Sequence, residues 1–279
     1  MKLANLAGRA TLVLGDEVAD VASASHGAFG PDLMAIYERW DDFTSFGSTV
    51  TRGTGPLVEA DLANPVPFPR QVFAVGLNYR GHAAESGSEP PERPAVFTKF
   101  PSSLAGPFDD IRIVGDANDW EAELVVVIGR TACGVGAADA WSHVAGLAVG
   151  QDISDRTLQF AAGFQFSMGK SRTTYGPVGP WVVTPDDLDD PDDIGLGCSI
   201  DGETLQDART SDLIFDVPAL ISEMSSVLTL LPGDIIFTGT PAGVGMARTP
   251  ARYLQPGEVL ETWIEGIGTI RNRVVRAAP

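Results

Sequence analysis

The chain is poor in the residues that build zinc and redox sites. It has 279 residues, of which two are cysteines and three are histidines. Cys133 and Cys198 lie far apart with no CxxC spacing, which excludes a zinc ribbon or a dithiol motif and leaves buried free thiols as the expectation. Basic residues are also scarce, 19 against 37 acidic ones, for a formal charge of −18. Such a chain lacks the basic footprint that phosphates demand, so we expect no nucleic-acid partner. A small anionic substrate is still compatible, because scattered surface charge is screened over roughly 8–10 Å. No apolar run approaches the roughly 20 residues of a membrane span, and the opening MKLANLAGRATLVLG lacks the apolar core of a signal peptide. We therefore expect a cytoplasmic protein with no membrane partner.

What is abundant is glycine (31) and proline (20), pointing to many turns and short strands. Residues 1–69 read as a small N-terminal α+β accessory domain. It holds a strand pair at 10–14 and 18–21 around Gly15-Asp16, then a helix opened by Pro31-Asp32 with Leu33, Ile36, Tyr37 and Trp40 on one side. NPVPFP at 64–69 is a stiff connector and a natural boundary. Residues 70–279 then form the larger domain.

The larger domain is organised around WEAELVVVIG at 120–129. Its aliphatic, β-branched run reads as a strand, so Glu121 and Glu123 point one way while Ala122 and Leu124 point the other. Two carboxylates beside so apolar a strand stay ionised only if a cation offsets their repulsion and desolvation, and a hard divalent metal suits paired oxygens. The competing reading places both on a solvated strand face. Asp152, near the end of a second apolar strand at 148–153, is the third carboxylate we bring to such a metal. Residues 137–147 between these strands read as a helix.

Upstream, a strand at 71–76 leads to LNYRGHAAE, where a helix sets His82 and Glu85 at i, i+3 on one face. A carboxylate on one imidazole nitrogen fixes the tautomer and raises the basicity of the other, as a general base needs. An incidental surface pair is the alternative. Residues 86–94 (SGSEPPERP) form a polar loop, and AVFTK brings Lys99 to a strand end. GFQFSMGKS at 163–171 resembles a phosphate-binding loop but has five residues between its glycines where four are required, so we reject a nucleotide site. The aspartate-rich stretch 185–193 reads as a solvated turn. A hairpin spans 196–206 with Asp201-Gly202 at its turn, and an amphipathic helix spans 216–230. GTPAGVG at 239–245 offers either an anion cradle of backbone N–H groups or a tight structural turn.

Seven ordered blocks between about 72 and 274 resemble the fumarylacetoacetate hydrolase superfamily: VGLNYRGHAAE, FTKFPSSLAGP, WEAELVVVIGR, QDISDR, GKSRTTYGPVGPW, LLPGDIIFTGTPAGVG and LQPGEVLETWIEGIG. The resemblance implies an α+β, β-rich fold, a mixed β-roll catalytic domain behind a small leading domain, a homodimer, and Mg²⁺ or Mn²⁺. It implies Glu121, Glu123 and Asp152 as metal ligands, His82 and Glu85 as the water-activating dyad, and Lys170 as the lysine on the substrate's oxygens. Lys99, Gln159, Thr240 and Arg156 match substrate-pocket positions. Two departures stand out. Arg172 and Thr173 replace a usual Phe-Asp, and Ser154-Asp155-Arg156-Thr157 replaces a usual SARD. The implied activity is hydrolysis of a C–C bond in an acylpyruvate-type keto acid. Decarboxylation, hydration or isomerisation of a related 2-oxo acid is the alternative, and a catalytically silent ligand-binding protein is the remaining one.

Overall fold

A computed structural model describes residues 1–161, 163 and 165–277. The architecture is α+β and β-rich. A large mixed sheet runs in the order Gly55–Pro56, Glu17–Asp20, Arg9–Leu14, Lys2–Leu6, Gly176–Val183, Val144–Gln151, Ala122–Ile128, Ile235–Phe237, Val72–Gly76 and Ala95–Thr98. A second sheet is built from Glu203–Arg209, Gly195–Ile200, Val259–Ile264, Gly268–Arg276 and Ile111–Ile113.

The strand Ala122–Ile128 is buried at every position, which follows from its composition, since an unbroken aliphatic run can be covered on both faces. Leu124, Val126 and Ile128 enter one core together with Val217, Leu220, Ile221 and Met224 of the helix Val217–Ser225. Val125 and Val127 enter a second core on the opposite face, with Leu33, Ile36, Tyr37, Trp40 and Phe43. The period of two along the strand thus sorts its side chains between two layers.

That second core comes from the N-terminal segment, in which Asp32 caps the helix Leu33–Tyr37 through the Met34 N–H. Residues 1–69 also join the sheet, because Lys2–Leu6 pairs antiparallel with Gly176–Val183. The strand Lys2–Leu6 is absent from the sequence reading above. Residues 1–69 and 70–279 therefore share one hydrogen-bonded sheet and one core. Two elements differ from expectation. The segment 137–147 is not a helix: Ala137–His143 makes 3₁₀ turns and Val144 already opens the strand Val144–Gln151. Pairing of that strand with Ala122–Ile128 and Gly176–Val183 overrides the local helical pattern. The helix expected to reach 230 ends at Ser225, and the chain then turns toward an isolated bridge between Leu230 and Ala132. The hairpin at Asp201-Gly202 forms as expected, with both residues at positive φ. Among the described residues, no helix is long and apolar enough to cross a membrane.

Ile128 lies at the far end of the central strand from Glu121 and is fully buried. Ile128→Ala is expected to lower unfolding stability by about 2–5 kcal/mol in urea titration while leaving divalent-metal affinity unchanged.

Candidate active site and metal centre

Strand register assembles the site. Ala122 pairs with Gln151 and Glu123 with Gly150, so Asp152 emerges beside Glu121, and the Asp152 N–H donates to the Glu121 carbonyl at 2.9 Å. Ligand atoms of Glu121, Glu123 and Asp152 all fall within 4.8 Å of one another, and all three side chains are buried. A solvated face for the glutamates is excluded by that burial.

Three cationic side chains surround these carboxylates. Lys170 Nζ lies 2.6 Å from Glu121 Oε2 and 2.9 Å from Asp152 Oδ2. Lys99 Nζ lies 2.6 Å from Asp152 Oδ1. Arg156 reaches Glu121 Oε1 at 2.8 Å and Asp119 Oδ2 at 2.7 Å. Burial alone would raise the Glu121 pKa, but Lys170, Arg156 and, more weakly, His82 outweigh it and hold it at about 2. Lys170 is likewise depressed by burial yet ends above its ordinary value, because Asp152 and Glu121 favour the ammonium. Glu123 differs. Its Oε2 accepts the Gly239 N–H at 2.8 Å, and burial, Asp152 and Glu121 together push its pKa well above the ordinary range. The residues therefore fit a divalent cation: three hard oxygen donors converge, and one of them faces like charges that a dication would neutralise.

His82 and Glu85 lie on the short helix Arg80–Glu85, as the i, i+3 spacing requires. Nδ1 of His82 and Oε1 of Glu85 are 2.7 Å apart, which assigns the hydrogen to Nδ1 and leaves the Nε2 lone pair free. Glu85 Oε2 accepts the Gly243 N–H at 2.9 Å, tying the dyad to the glycine-rich loop. Gly243 has φ +107°, and a Cβ there would run into the Leu205 carbonyl oxygen, so only glycine fits. The same loop gives the Gly239 N–H to Glu123 and the Gly245 N–H to Asp119 at 2.7 Å. Of the two readings of 239–245, the structure selects the structural one at these three glycines. Their N–H groups hold protein carboxylates in place rather than an external anion.

The four pocket positions are all buried. Gln159 Oε1 accepts from Arg156 Nη1 at 2.8 Å. The Thr240 hydroxyl donates to the Ala122 carbonyl at 3.0 Å and accepts from Gln206 at 2.8 Å. Lys99 is 1 % exposed, and Nζ donates to Asp152, to the Lys170 carbonyl and to the Tyr175 carbonyl. With three acceptors taken, Lys99 here orients Asp152 and the Lys170 turn. Phe164, within the rejected phosphate-loop stretch, lies outside the described residues.

Sequence reasoning passed over Asp119, Gln151 and Gln206. Asp119 accepts from Arg156, Gly245 and Met246, so it anchors both the arginine and the loop. Gln151 accepts the Glu121 N–H at 2.8 Å and Gln206 accepts the Ala122 N–H at 2.9 Å. The only signal for Asp119 was its place before Trp120 and Glu121; the glutamines carried none. The two departures noted above meet in space, since Arg172 Nε donates to Asp155 Oδ2 at 2.8 Å. The arginine that replaces a phenylalanine is thus neutralised by the aspartate of the altered SDRT segment.

A family profile for the C-terminal region of fumarylacetoacetate (FAA) hydrolase matches residues 71–275. The mitochondrial oxaloacetate tautomerase Fahd2a of Rattus norvegicus is 40% identical over 248 residues, 87% of this chain and 79% of its own. The 2,4-didehydro-3-deoxy-L-rhamnonate hydrolase of Sphingomonas sp. strain SKA58 is 44% identical over 224 residues, 78% of this chain and 79% of its own. Among solved structures, maleylpyruvate hydrolase from Sphingobium sp. SYK-6, in complex with manganese(II) and pyruvate, superposes with a TM-score of 0.83 at 30% identity, covering 100% of both chains. With the profile matched across most of its length and these buried carboxylates at its centre, the chain belongs to the fumarylacetoacetate hydrolase family of enzymes.

Proposed function

We propose that the protein is a divalent-metal-dependent hydrolase that cleaves a C–C bond in a 2,4-dioxo acid of the acylpyruvate type. The observation that carries the reading is the juxtaposition of a buried carboxylate triad, a lysine bridging two of its members, and a carboxylate-oriented histidine. Glu121, Glu123 and Asp152 would hold Mg²⁺ or Mn²⁺, which when bound supplies a Lewis acid for the keto oxygens. The manganese and pyruvate in the maleylpyruvate hydrolase complex support this choice of ion and substrate class.

His82 takes the proton from a water through Nε2, and Glu85 stabilises the resulting imidazolium while Gly243 keeps that carboxylate aligned. The water's oxygen attacks the distal carbonyl, the C–C bond breaks, and the electron pair leaves on the pyruvate fragment, whose carbon then takes the proton back from the His82 imidazolium. The Lys170 ammonium, kept charged by Glu121 and Asp152, stabilises the negative charge that develops on oxygen. Arg156 and Gln159 fix the outer side of Glu121. A second reading is keto–enol tautomerisation, favoured by the similarity to the oxaloacetate tautomerase. The same dyad could move a proton on carbon without a water attack.

Acetylpyruvate with Mg²⁺ or Mn²⁺ should yield acetate and pyruvate, and EDTA should abolish turnover. Interconversion of oxaloacetate tautomers with unchanged carbon count, and no acetylpyruvate cleavage, would establish the second reading instead; released CO₂ would mark a decarboxylase. His82→Ala should lower kcat by about 10²–10⁴-fold while metal and pyruvate still bind in calorimetry. Loss of metal in that variant would overturn the assigned roles.

Glu123 also predicts a pH dependence. Its folded pKa is raised above the ordinary 4.5, so the unfolded chain releases this proton first. The metal-free protein should therefore lose stability as pH rises from about 4.5 through the raised value. Glu121 acts oppositely, contributing stability above its ordinary pKa that is lost as pH falls toward about 2. Glu123→Gln should flatten the decline of Tm with rising pH in the metal-free protein and weaken Mn²⁺ binding at least about tenfold. An unchanged Mn²⁺ affinity would remove Glu123 from the ligand set.

A further inference from the structure

Beside the carboxylate triad stands a group of phenylalanines to which the chemistry above gives no task. The Phe97 ring centroid lies 5.7 Å from Lys170 Nζ, the same ammonium that contacts Glu121 and Asp152. Phe166 packs edge-on to Phe97 at 5.8 Å, and Phe160 packs edge-on to Phe166 at 6.0 Å. The Phe166 carbonyl accepts the Lys170 N–H at 3.2 Å, so ring and lysine share one turn. On its other side Phe166 approaches Gly76, the last residue of the strand that leads to the His82 helix. The rings therefore run from Lys170 to the end of the strand that precedes the dyad helix. Phe160, at the outer end, is 47 % exposed. Apolar surface continues outward from the reacting centre to solvent.

The charges around the site are already paired. Lys99 faces Asp152, Lys170 faces Glu121 and Asp152, Arg156 faces Asp119 and Glu121, and Arg172 faces Asp155. Arg80 lies 4.0 Å from Asp212. The adjoining loop 86–94 carries Glu89 and Glu92 against one Arg93. A second carboxylate at the far end of a substrate would lie against apolar rings, and the five cations named first already face carboxylates.

We propose that Phe97, Phe166 and Phe160 form a specificity wall that selects a 2-oxo acid whose distal end is apolar, in preference to a dicarboxylate. This deepens the reading above and rests on it for the placement of the dioxo head at the carboxylate triad. The distal acyl substituent lies along the rings, where burial of each methylene tightens binding by about fourfold. A distal carboxylate there loses hydration without gaining a partner.

The test is binding, so that it stands apart from turnover. Calorimetry on the Mn²⁺-loaded protein compares 2-oxohexanoate with 2-oxoadipate, which have the same carbon count and differ in the distal group. 2-Oxohexanoate is expected to bind about tenfold or more tightly than 2-oxoadipate, and pyruvate more weakly than 2-oxohexanoate. Phe97→Ala should cost 2-oxohexanoate more affinity than pyruvate, and Phe97→Leu should recover most of the difference. Equal or tighter binding of 2-oxoadipate overturns the proposal; if Arg93→Ala then removes that binding, the loop arginine is the distal anchor. Equal losses for pyruvate and 2-oxohexanoate in Phe97→Ala also overturn it, because the ring would then only prop Lys170. An enzyme inactive on acetylpyruvate that still prefers 2-oxohexanoate would refute the hydrolytic reading and leave the wall in place.

Discussion

Three buried carboxylates whose oxygens lie within 4.8 Å of one another are the constraint on which the rest of this structure depends. Isolated in a low-dielectric interior, each charge would cost several kcal/mol. Lys99, Lys170 and Arg156 are drawn into the core to offset that cost, and each is buried in turn. The compensation is incomplete at Glu123, where Lys170 and the Gly239 N–H are outweighed by burial and two acidic neighbours. A dication would complete the balance, and the uncompensated charge at Glu123 is what suits the site to one.

Holding such a cluster needs a rigid frame, and the central strand supplies it by being covered on both faces. One face is sealed by the helix Val217–Ser225 and the second sheet, the other by the N-terminal helices. The leading segment thus contributes packing to the strand that carries Glu121 and Glu123. The glycine-rich loop fixes the remaining geometry. By giving N–H groups to Glu123, Glu85 and Asp119, it links the triad, the dyad and the arginine in one short stretch of backbone. Loop positions that looked available to an external anion are committed to internal ones.

The comparison of Arg172 with Asp155 shows why single positions mislead. Read separately, each departs from the family pattern and casts doubt on the substrate. In the folded chain they are one ion pair at 2.8 Å. The two side chains neutralise one another, and neither contacts the triad or the dyad in the hydrogen bonds and ion pairs described. Lys99 illustrates the reverse. Its place in a matching block suggested a substrate contact, but full burial and three acceptors make it a support for Asp152 and the Lys170 turn.

By itself the sequence determined the central strand, the i, i+3 pairing of His82 with Glu85, the hairpin at Asp201-Gly202 and the helix opening near Pro31-Asp32. These are local, set by side-chain period and turn chemistry within a few residues. It also determined the family, through the order of blocks spread over some two hundred positions. Tertiary structure alone decided that 144–147 is strand rather than helix, that Lys2–Leu6 extends the same sheet, and that Asp119, Gln151 and Gln206 hold the site together. The strand pairs with residues 16 or more positions away, and the contacts of Gln151, Gln206 and Asp119 span 30 or more. A residue's own neighbours in the chain carry no record of which strand it will lie beside, and hydrogen bonding across strands is what settles it.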